Sequence, residues 1–360
     1  MMLFGKRIIL ALMVFLVGFG VVCALAGGGK GAEKESRARA LELVDKYAQA
    51  LDSTLSFIEH HEKTTKFSYR VAGRQDEGTS LERGQFRYDD QRFYLQAYQW
   101  GDFGNKDLSK DTPHYTCNIS DGRKKILYQN HRQLNTPDRS GSAARLPNPR
   151  PEQKVVLSKH FGVSYIVGYI GSNERLDSIL RKADSISVRK TTENVRGSEC
   201  FVLDADTKYG RYTVWFDPEH GFHPSKARRR AKEGEYTHAH LMLKGETTFT
   251  YLDTISFEKV DGIWVPMEAN AGCDRVAVGG DFVKDDYHYK RTDIILNPDH
   301  DKLGSFADPI FEDPNNDPEL VNGTRVRLKD PEIEYTWQDG KLVDKDGREV
   351  DLDKLKVSKK

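Results

Sequence analysis

The chain has 360 residues and carries 55 Lys plus Arg against 55 Asp plus Glu, so its formal net charge is zero. That balance argues against a nucleic-acid binder, which needs a basic surplus. With 31% charged and 10% aromatic residues, the composition fits a soluble surface around an aromatic-rich interior, large enough for one big domain or two ordinary ones.

At the N-terminus, Lys6 and Arg7 precede an apolar run from Ile8 to Ala26 without a charged residue. This is the pattern of an export signal, and Ala24-Leu25-Ala26 before Gly27 is a small-x-small cleavage site, so residues 1–26 are expected to be removed. The run is also close to the length of a membrane span, which leaves a retained anchor as the alternative. Lipidation at Cys23 is disfavoured because Val22 stands where a lipoprotein signal wants a small residue. The expected location is the periplasm or cell envelope. Of the cysteines beyond the leader, Cys117, Cys200 and Cys273 are scattered and form no metal motif. They read as small buried residues, with one disulfide and one free thiol as the alternative; the sequence cannot choose a pair.

After a stub at Gly27 to Gly31, a helix is expected from about Ala32 into the fifties. Leu41, Val44, Ala48, Leu51, Leu55 and Ile58 alternate steps of three and four and so share a face. The stripe suits a helix packed on a sheet, or a lid over an apolar cavity. From Phe67 the pattern changes to period two, continuing through Gln85 to Tyr88 and Arg92 to Trp100. Asp121-Gly122, Asp261-Gly262, Asn322-Gly323, Asp339-Gly340 and Asp346-Gly347 mark two-residue hairpin turns, which join antiparallel neighbours. His131 to Gln153, with four prolines, reads as a long loop over the sheet, a domain boundary being the alternative. A second helix is expected from Asn173 to Ala183, capped by Asn173. Strands follow at Ser185 to Arg189, Cys200 to Asp204, Thr247 to Phe257, Ile263 to Glu268 and Tyr287 to Leu296.

Tyr212 to Arg230 is the most informative stretch: a strand, a Pro/Gly reversal and a second strand. Tyr212, Val214 and Phe216 point one way, and Thr213 and Trp215 the other, so both faces of this strand are apolar. In the second arm, Lys226, Arg228, Arg229, Arg230 and Lys232 read as charges guarding an edge strand. Contact with an anionic head group or a membrane surface is the alternative. Beyond Pro298 the chain is acidic and Pro-rich, with one small hairpin from Ile333 to Val343. The expected organisation is a main domain over residues 32–298, containing the loop 131–153, and an acidic extension over 299–360.

No nucleophile elbow, P-loop or dinucleotide fingerprint is present. His238 and His240 share a strand face and are the best metal pair, but no third ligand is evident. The acidic run at Asp313 to Asp317 fails as a calcium loop, because Pro318 stands where the turn needs Gly; Asp344, Asp346, Asp351 and Asp353 fail likewise. His220 and His223, in the reversal, read as exposed turn residues.

Three pieces carry a resemblance to a known family. They are Ala38 to Ile58 leading into Phe67 to Arg70, Val214-Trp215-Phe216-Asp217-Pro218 with Gly221, and Phe257 to Pro266. Together they resemble the LolA/LolB-type lipoprotein-carrier superfamily of the bacterial envelope, and secreted planctomycete proteins of unassigned function more than the studied carriers. The resemblance implies an α+β, mainly β fold. A large curved antiparallel sheet, an open half-barrel, would wrap an N-terminal amphipathic helix and a second short helix around an apolar cavity for acyl chains. The chain departs from the family in its length, its Pro-rich loop and its acidic extension. The functional expectation is a non-catalytic envelope protein that holds a lipid or lipoprotein acyl chain through Leu51, Leu55, Trp215, Phe249, Tyr251 and Trp264. It would have no cofactor, an envelope protein as a second partner, and no nucleic acid. An envelope structural or interaction protein without a ligand cavity is the alternative, and a metal-dependent enzyme using His238 and His240 a remote one.

Overall fold

The computed structural model describes residues 34–89, 92–103, 114–120, 124–132, 139–147, 167–237, 240–307, 325–329, 332–339 and 341–350. The leader, Gly27 to Gly31, His238, the turns at Asp121-Gly122 and Asn322-Gly323, Asp313 to Asp317, and Asp351 with Asp353 lie outside these residues.

Helix α1 occupies residues 34–52. It is followed by strands β1 (Ser56–Val71), β2 (Arg74–Asp89), β3 (Phe93–Phe103), β4 (His114–Ser120), β5 (Lys124–Arg132) and β6 (Arg139–Pro147). After helix α2 (Leu176–Arg181) come β7 (Ser185–Val188), β8 (Glu193–Val195), β9 (Ser198–Thr207), β10 (Gly210–Asp217) and β11 (His223–Lys232). A small ribbon of β12 (Tyr236–Thr237) and β13 (His240–Leu241) stands apart. β14 (Thr247–Val260), β15 (Ile263–Val276), β16 (Phe282–Leu296), β17 (Arg325–Lys329), β18 (Glu332–Gln338) and β19 (Lys341–Val343) follow.

Apart from that ribbon, the described strands join in one 17-stranded sheet. From one edge, β7 and β8 both pair with β9, and the order continues β10, β11, β14, β15, β16, β1 and β2. It then runs through β3, β4, β5, β6, β17 and β18 to β19. All of these pairings are antiparallel except β6 with β17. The two edges do not meet, so the sheet is not closed into a barrel. The mainly β class with an open antiparallel sheet and two helices is as the sequence led us to expect. Among the described residues no helix is long and apolar enough to cross a membrane.

Local chemistry accounts for much of this. Asp261 and Gly262 have φ of 49° and 84°, the two positive values that a type I′ hairpin requires. Ala72-Gly73 and Arg196-Gly197 make the same kind of turn, with φ of 52° and 77° and of 54° and 98°. Neither begins with Asp or Asn, which is why the sequence does not advertise them.

Four expectations need correction. β1 starts at Ser56 rather than Phe67, because the inward positions of its first half hold Glu59 and His61, both buried, and these interrupt the apolar period. The Pro-rich segment is not one loop: β6 lies inside it and pairs with β5 and β17. Through that pairing the C-terminal extension, with its expected hairpin of β18 and β19, joins the main sheet instead of standing apart from the 32–298 unit. Finally, α2 is shorter than expected, and its N-cap is Arg175, which makes no side-chain cap; Leu176, Ile179 and Leu180 are buried as predicted.

The core lies on the sheet face covered by α1. The helix buries Ala40, Leu43, Val44, Tyr47, Ala48 and Leu51, a stripe turned slightly from the expected one. Leu41 is half-buried, and Leu55 lies past the helix end, touching both main apolar clusters. Opposite the helix stand Tyr212, Val214 and Phe216 of β10, and the rings of Tyr47 and Phe216 are 5.4 Å apart. Farther along, Phe57, Phe86, Tyr88, Phe93 and Leu95 form the second cluster. Within it Glu59 is fully buried and accepts hydrogen bonds from Tyr289 Oη and Arg291 Nε. Arg291 Nη1 donates to the Pro266 carbonyl at 2.9 Å, so no member of this pair is left bare.

The helix is thus packed on the sheet, its buried stripe part of one apolar cluster with β10. Leu51→Ala should therefore cost about 3–5 kcal/mol in urea unfolding; a loss below about 1 kcal/mol would mean that the stripe seals no core.

Candidate functional site

Strand alternation sends the odd and even residues of β10 and β11 to different faces. With Tyr212, Val214 and Phe216 committed to the core, Arg211, Thr213 and Trp215 emerge on the opposite, outer face. The register places Arg211 opposite Arg230, Thr213 opposite Arg228 and Trp215 opposite Lys226. On the other flank of β11, Arg230 faces Phe249 and Arg228 faces Tyr251. β11 is therefore an interior strand, and its cations do not guard an edge as the sequence reading supposed. Arg229, in the same run, points to the core face and is fully buried. Its Nε donates to the Tyr209 carbonyl and its Nη2 to the Tyr236 carbonyl, each at 2.6 Å.

These outward residues line a groove of about 400 Å³. Trp215 and Phe249 supply its apolar floor; Arg189, Arg211, Lys226, Arg228 and Arg230 supply cations, and Asp204 the one carboxylate of the lining. Lys226 Nζ lies 4.6 Å from the Trp215 ring centre, and the Arg230 guanidinium 5.7 Å from that of Phe249. Arg228 lies 5.5 Å from the ring of Tyr251, which stacks on Phe249 at 6.2 Å. Cations over aromatic faces are favourable contacts that leave the charged ends available.

The neighbouring carboxylates are engaged. Asp204 accepts from Arg189 Nε at 2.8 Å and from Thr213 Oγ1 at 2.7 Å. Burial would raise its carboxyl, but these bonds outweigh burial and hold it below its ordinary value. Glu193 accepts from Trp215 Nε1 at 2.8 Å and from Arg189 Nη1 at 2.5 Å. Asp253 takes both oxygens to Arg228 Nη2, at 2.6 and 2.8 Å. Among the described residues no ion pair joins Arg211, Lys226 or Arg230 to a carboxylate. Thr213, the lining hydroxyl, is spent on Asp204. The arrangement can bind through dispersion and charge; it places no activated nucleophile in the groove.

The six residues expected to hold a lipid do not meet in one cavity. Leu51 and Leu55 are on the helix side, Leu51 fully buried. Trp215, Phe249 and Tyr251 are together on the outer face. Trp215 is 7% exposed, its inner edge packed on Cys200 and Val202. Trp264 lies apart, with its ring 4.8 Å from that of His220. The cations beside Trp215 and Phe249 were visible in the sequence as a charge run, but their shared face with the aromatics depends on register across three strands.

Of the histidine pair offered for a metal, His238 lies outside the described residues. His240 is exposed, and its Nε2 is 2.9 Å from Glu246 Oε2. Among the described residues no group of three or more His, Cys, Asp or Glu could hold a metal ion. Cys117 and Cys200 are buried and Cys273 half-buried, and none of these three is in a disulfide.

In the reversal after β10, Asp217 caps a 3-10 turn over Pro218–His220, and Gly221 closes it with φ of 69°. The Asp217 carboxylate accepts from the Glu219 amide, from Ser225 Oγ and from His220 Nδ1. His220 stacks on Phe257 at 4.5 Å. His223 is fully buried and donates through Nε2 to the Trp264 carbonyl at 2.9 Å. Neither is the plain exposed turn residue that was expected, because Phe257 and Trp264 of the next hairpin fold over them.

No family model matches the chain, and no curated protein does. Among solved structures it is similar to a DUF1329 family protein from Desulfovibrio piger, with a TM-score of 0.34 and 14% identity over 78% of this chain and 99% of that one. It is also similar to a LolA superfamily protein from Nitrosomonas europaea, with a TM-score of 0.33 and 13% identity over 75% and 97% of the two chains. The second of these bears the family name that the sequence resembles. A third similar structure, described as showing lipid–protein interactions in lipovitellin, has a TM-score of 0.29 and 9% identity over 68% of this chain and 26% of that one.

Burial pushes the His223 imidazole down to about 4 from an ordinary 6.5. The folded state then prefers neutral His223, so its stability is complete above about pH 6.5 and falls as the unfolded chain takes up a proton between pH 6.5 and 4. The expected loss is about 3 kcal/mol across that window. Urea unfolding at stepped pH checks this, and His223→Gln should flatten the slope; an unchanged slope would assign the effect to other groups.

Proposed function

We propose that this chain is a non-catalytic cell-envelope protein that binds a lipid or lipoprotein acyl chain, and that the amphiphile rests in the outer groove. The observation that carries the reading is the half-exposed Phe249 on the same outer face as Trp215, aromatic surface lined by five cations of which Arg211, Lys226 and Arg230 form no ion pair among the described residues. Under α1, where the sequence offered a site for the acyl chain, Tyr47 and Leu51 pack into the buried cluster with β10, and the ligand is placed on the outer face instead. Trp215, Phe249 and Tyr251 are the members of the expected set that this reading keeps. A groove of about 400 Å³ is within the size range of small-ligand sites. It would cover part of an acyl chain, with burial contributing about 0.8 kcal/mol per CH₂. Release would follow when an envelope partner offers a larger apolar surface. The envelope location rests on the export signal in residues 1–26.

Protein purified from its own envelope should carry a lipid detectable by native mass spectrometry or organic extraction, and should bind a fluorescent fatty-acid probe. Phe249→Ala should weaken the probe by roughly tenfold, the loss of an aromatic contact of about 1.4 kcal/mol, while the melting temperature stays nearly unchanged. A protein that is empty and ignores the probe would end this reading.

A further inference from the structure

The groove contains an electrostatic arrangement that aromatic contact does not explain. Arg211 and Arg230 are direct cross-strand partners. Residues so placed have Cβ atoms about 4.5–5.5 Å apart, and like charges there repel. Neither has a carboxylate partner among the described residues. The other strand neighbour of Arg211 is Asp206, which accepts from Ser185 Oγ at 2.9 Å and sets its carboxylate beside Arg211 without closing to an ion pair; Arg211 also helps to hold the Asp204 carboxylate low, so of the two arginines Arg230 is the less compensated. The other neighbour of Arg230 is Phe249, over whose ring the guanidinium lies. Lys226 adds a third cation above Trp215. Glu193, Asp204 and Asp253 are bound to Arg189 and Arg228.

Two exposed arginines on directly paired strand positions, one of them over the Phe249 ring, suit an anion with several oxygens and an apolar body attached. A guanidinium offers a planar fork of donors that matches phosphate oxygens two at a time, and an ammonium adds a point charge. A phosphate ester presents three acceptor oxygens and a charge of about −1.5 to −2. We infer that the groove recognises the phosphate head group of an anionic lipid, with Arg211 and Arg230 as the clamp, Phe249 beneath the first carbons of the acyl chains, and Trp215 with Lys226 four residues farther along the strands, where the chains would run on. This rests on the lipid-binding reading above and specifies which lipid.

The test compares dihexanoyl phosphatidic acid, dihexanoyl glycerol and inorganic phosphate by calorimetry on the whole protein. Charge-assisted hydrogen bonds should make phosphatidic acid bind about ten- to a hundredfold tighter than the uncharged glyceride, and added salt should erode that advantage. Arg211→Gln with Arg230→Gln should bring phosphatidic acid to the level of the glyceride, leave the glyceride unchanged and leave the melting temperature undiminished, since the repulsion is gone. Arg230→Lys keeps the charge but loses the fork, and should fall between. Equal binding of the two lipids would overturn the phosphate assignment while leaving lipid binding intact. Inorganic phosphate binding as tightly as phosphatidic acid would overturn the lipid source. Binding of neither lipid would overturn the lipid reading itself.

Discussion

An open sheet must bury one face, and here the packing of α1 on β10 does so. Tyr47 and Leu51 set against Tyr212, Val214 and Phe216 commit every second residue of that strand to the interior. The pleat leaves no freedom for the rest: Arg211, Thr213 and Trp215 must face outward. A slip of one residue would place an arginine under the helix and a phenylalanine in water. Register in β10, and through its hydrogen bonds in β9, β11 and β14, is therefore specified by the helix on the far side of the sheet. The outer groove is organised by a contact that it never touches.

The same alternation explains how the sheet tolerates so many buried polar groups. Arg229 sits between two outward arginines yet is fully buried, because two carbonyls accept its guanidinium. Glu59 lies on an inward position of β1, and Tyr289 and Arg291 from β16 satisfy it. Asp217 is buried at the end of β10 with three donors around its carboxylate. In each case partners come from a different strand or turn, as burial in a low-dielectric interior demands; Arg229 Nη1 alone of these donors has none.

How well the sequence could be read follows from where those partners come from. Features written within a few residues were readable: the helical stripe around Val44, Ala48 and Leu51, the alternation of Tyr212 to Phe216, and the turn at Asp261-Gly262. Features decided by distant partners were not. The first half of β1 looks polar until Tyr289 and Arg291 are laid beside it. β6 is hidden in a Pro-rich segment because its ladder depends on β5 and on β17. The cations of β11 read as an edge until β14 is placed on its far side. Trp215 and Phe249, both expected to meet a lipid, do share a face. Leu51 carries the same expectation, but a stripe of apolar residues has the same spacing whether it lines a cavity or packs in a core.

The pairing of β1 with β16 has a further consequence. On one side of it the strands from β1 through β6 follow one another as sequence neighbours. On the other side most of β9 to β16 do the same. Each half can assemble from short loops, whereas the seam joins residues such as Glu59 and Tyr289, 230 positions apart along the chain. Closing so long a loop carries an entropic cost that local hairpins avoid, which puts the seam late in folding. Until it forms, the chain consists of two half-sheets, each with a long bare edge of unpaired backbone groups. The buried Glu59–Arg291 pair lies on that seam, so it also acts as a register mark: only the correct alignment of the two halves neutralises both charges.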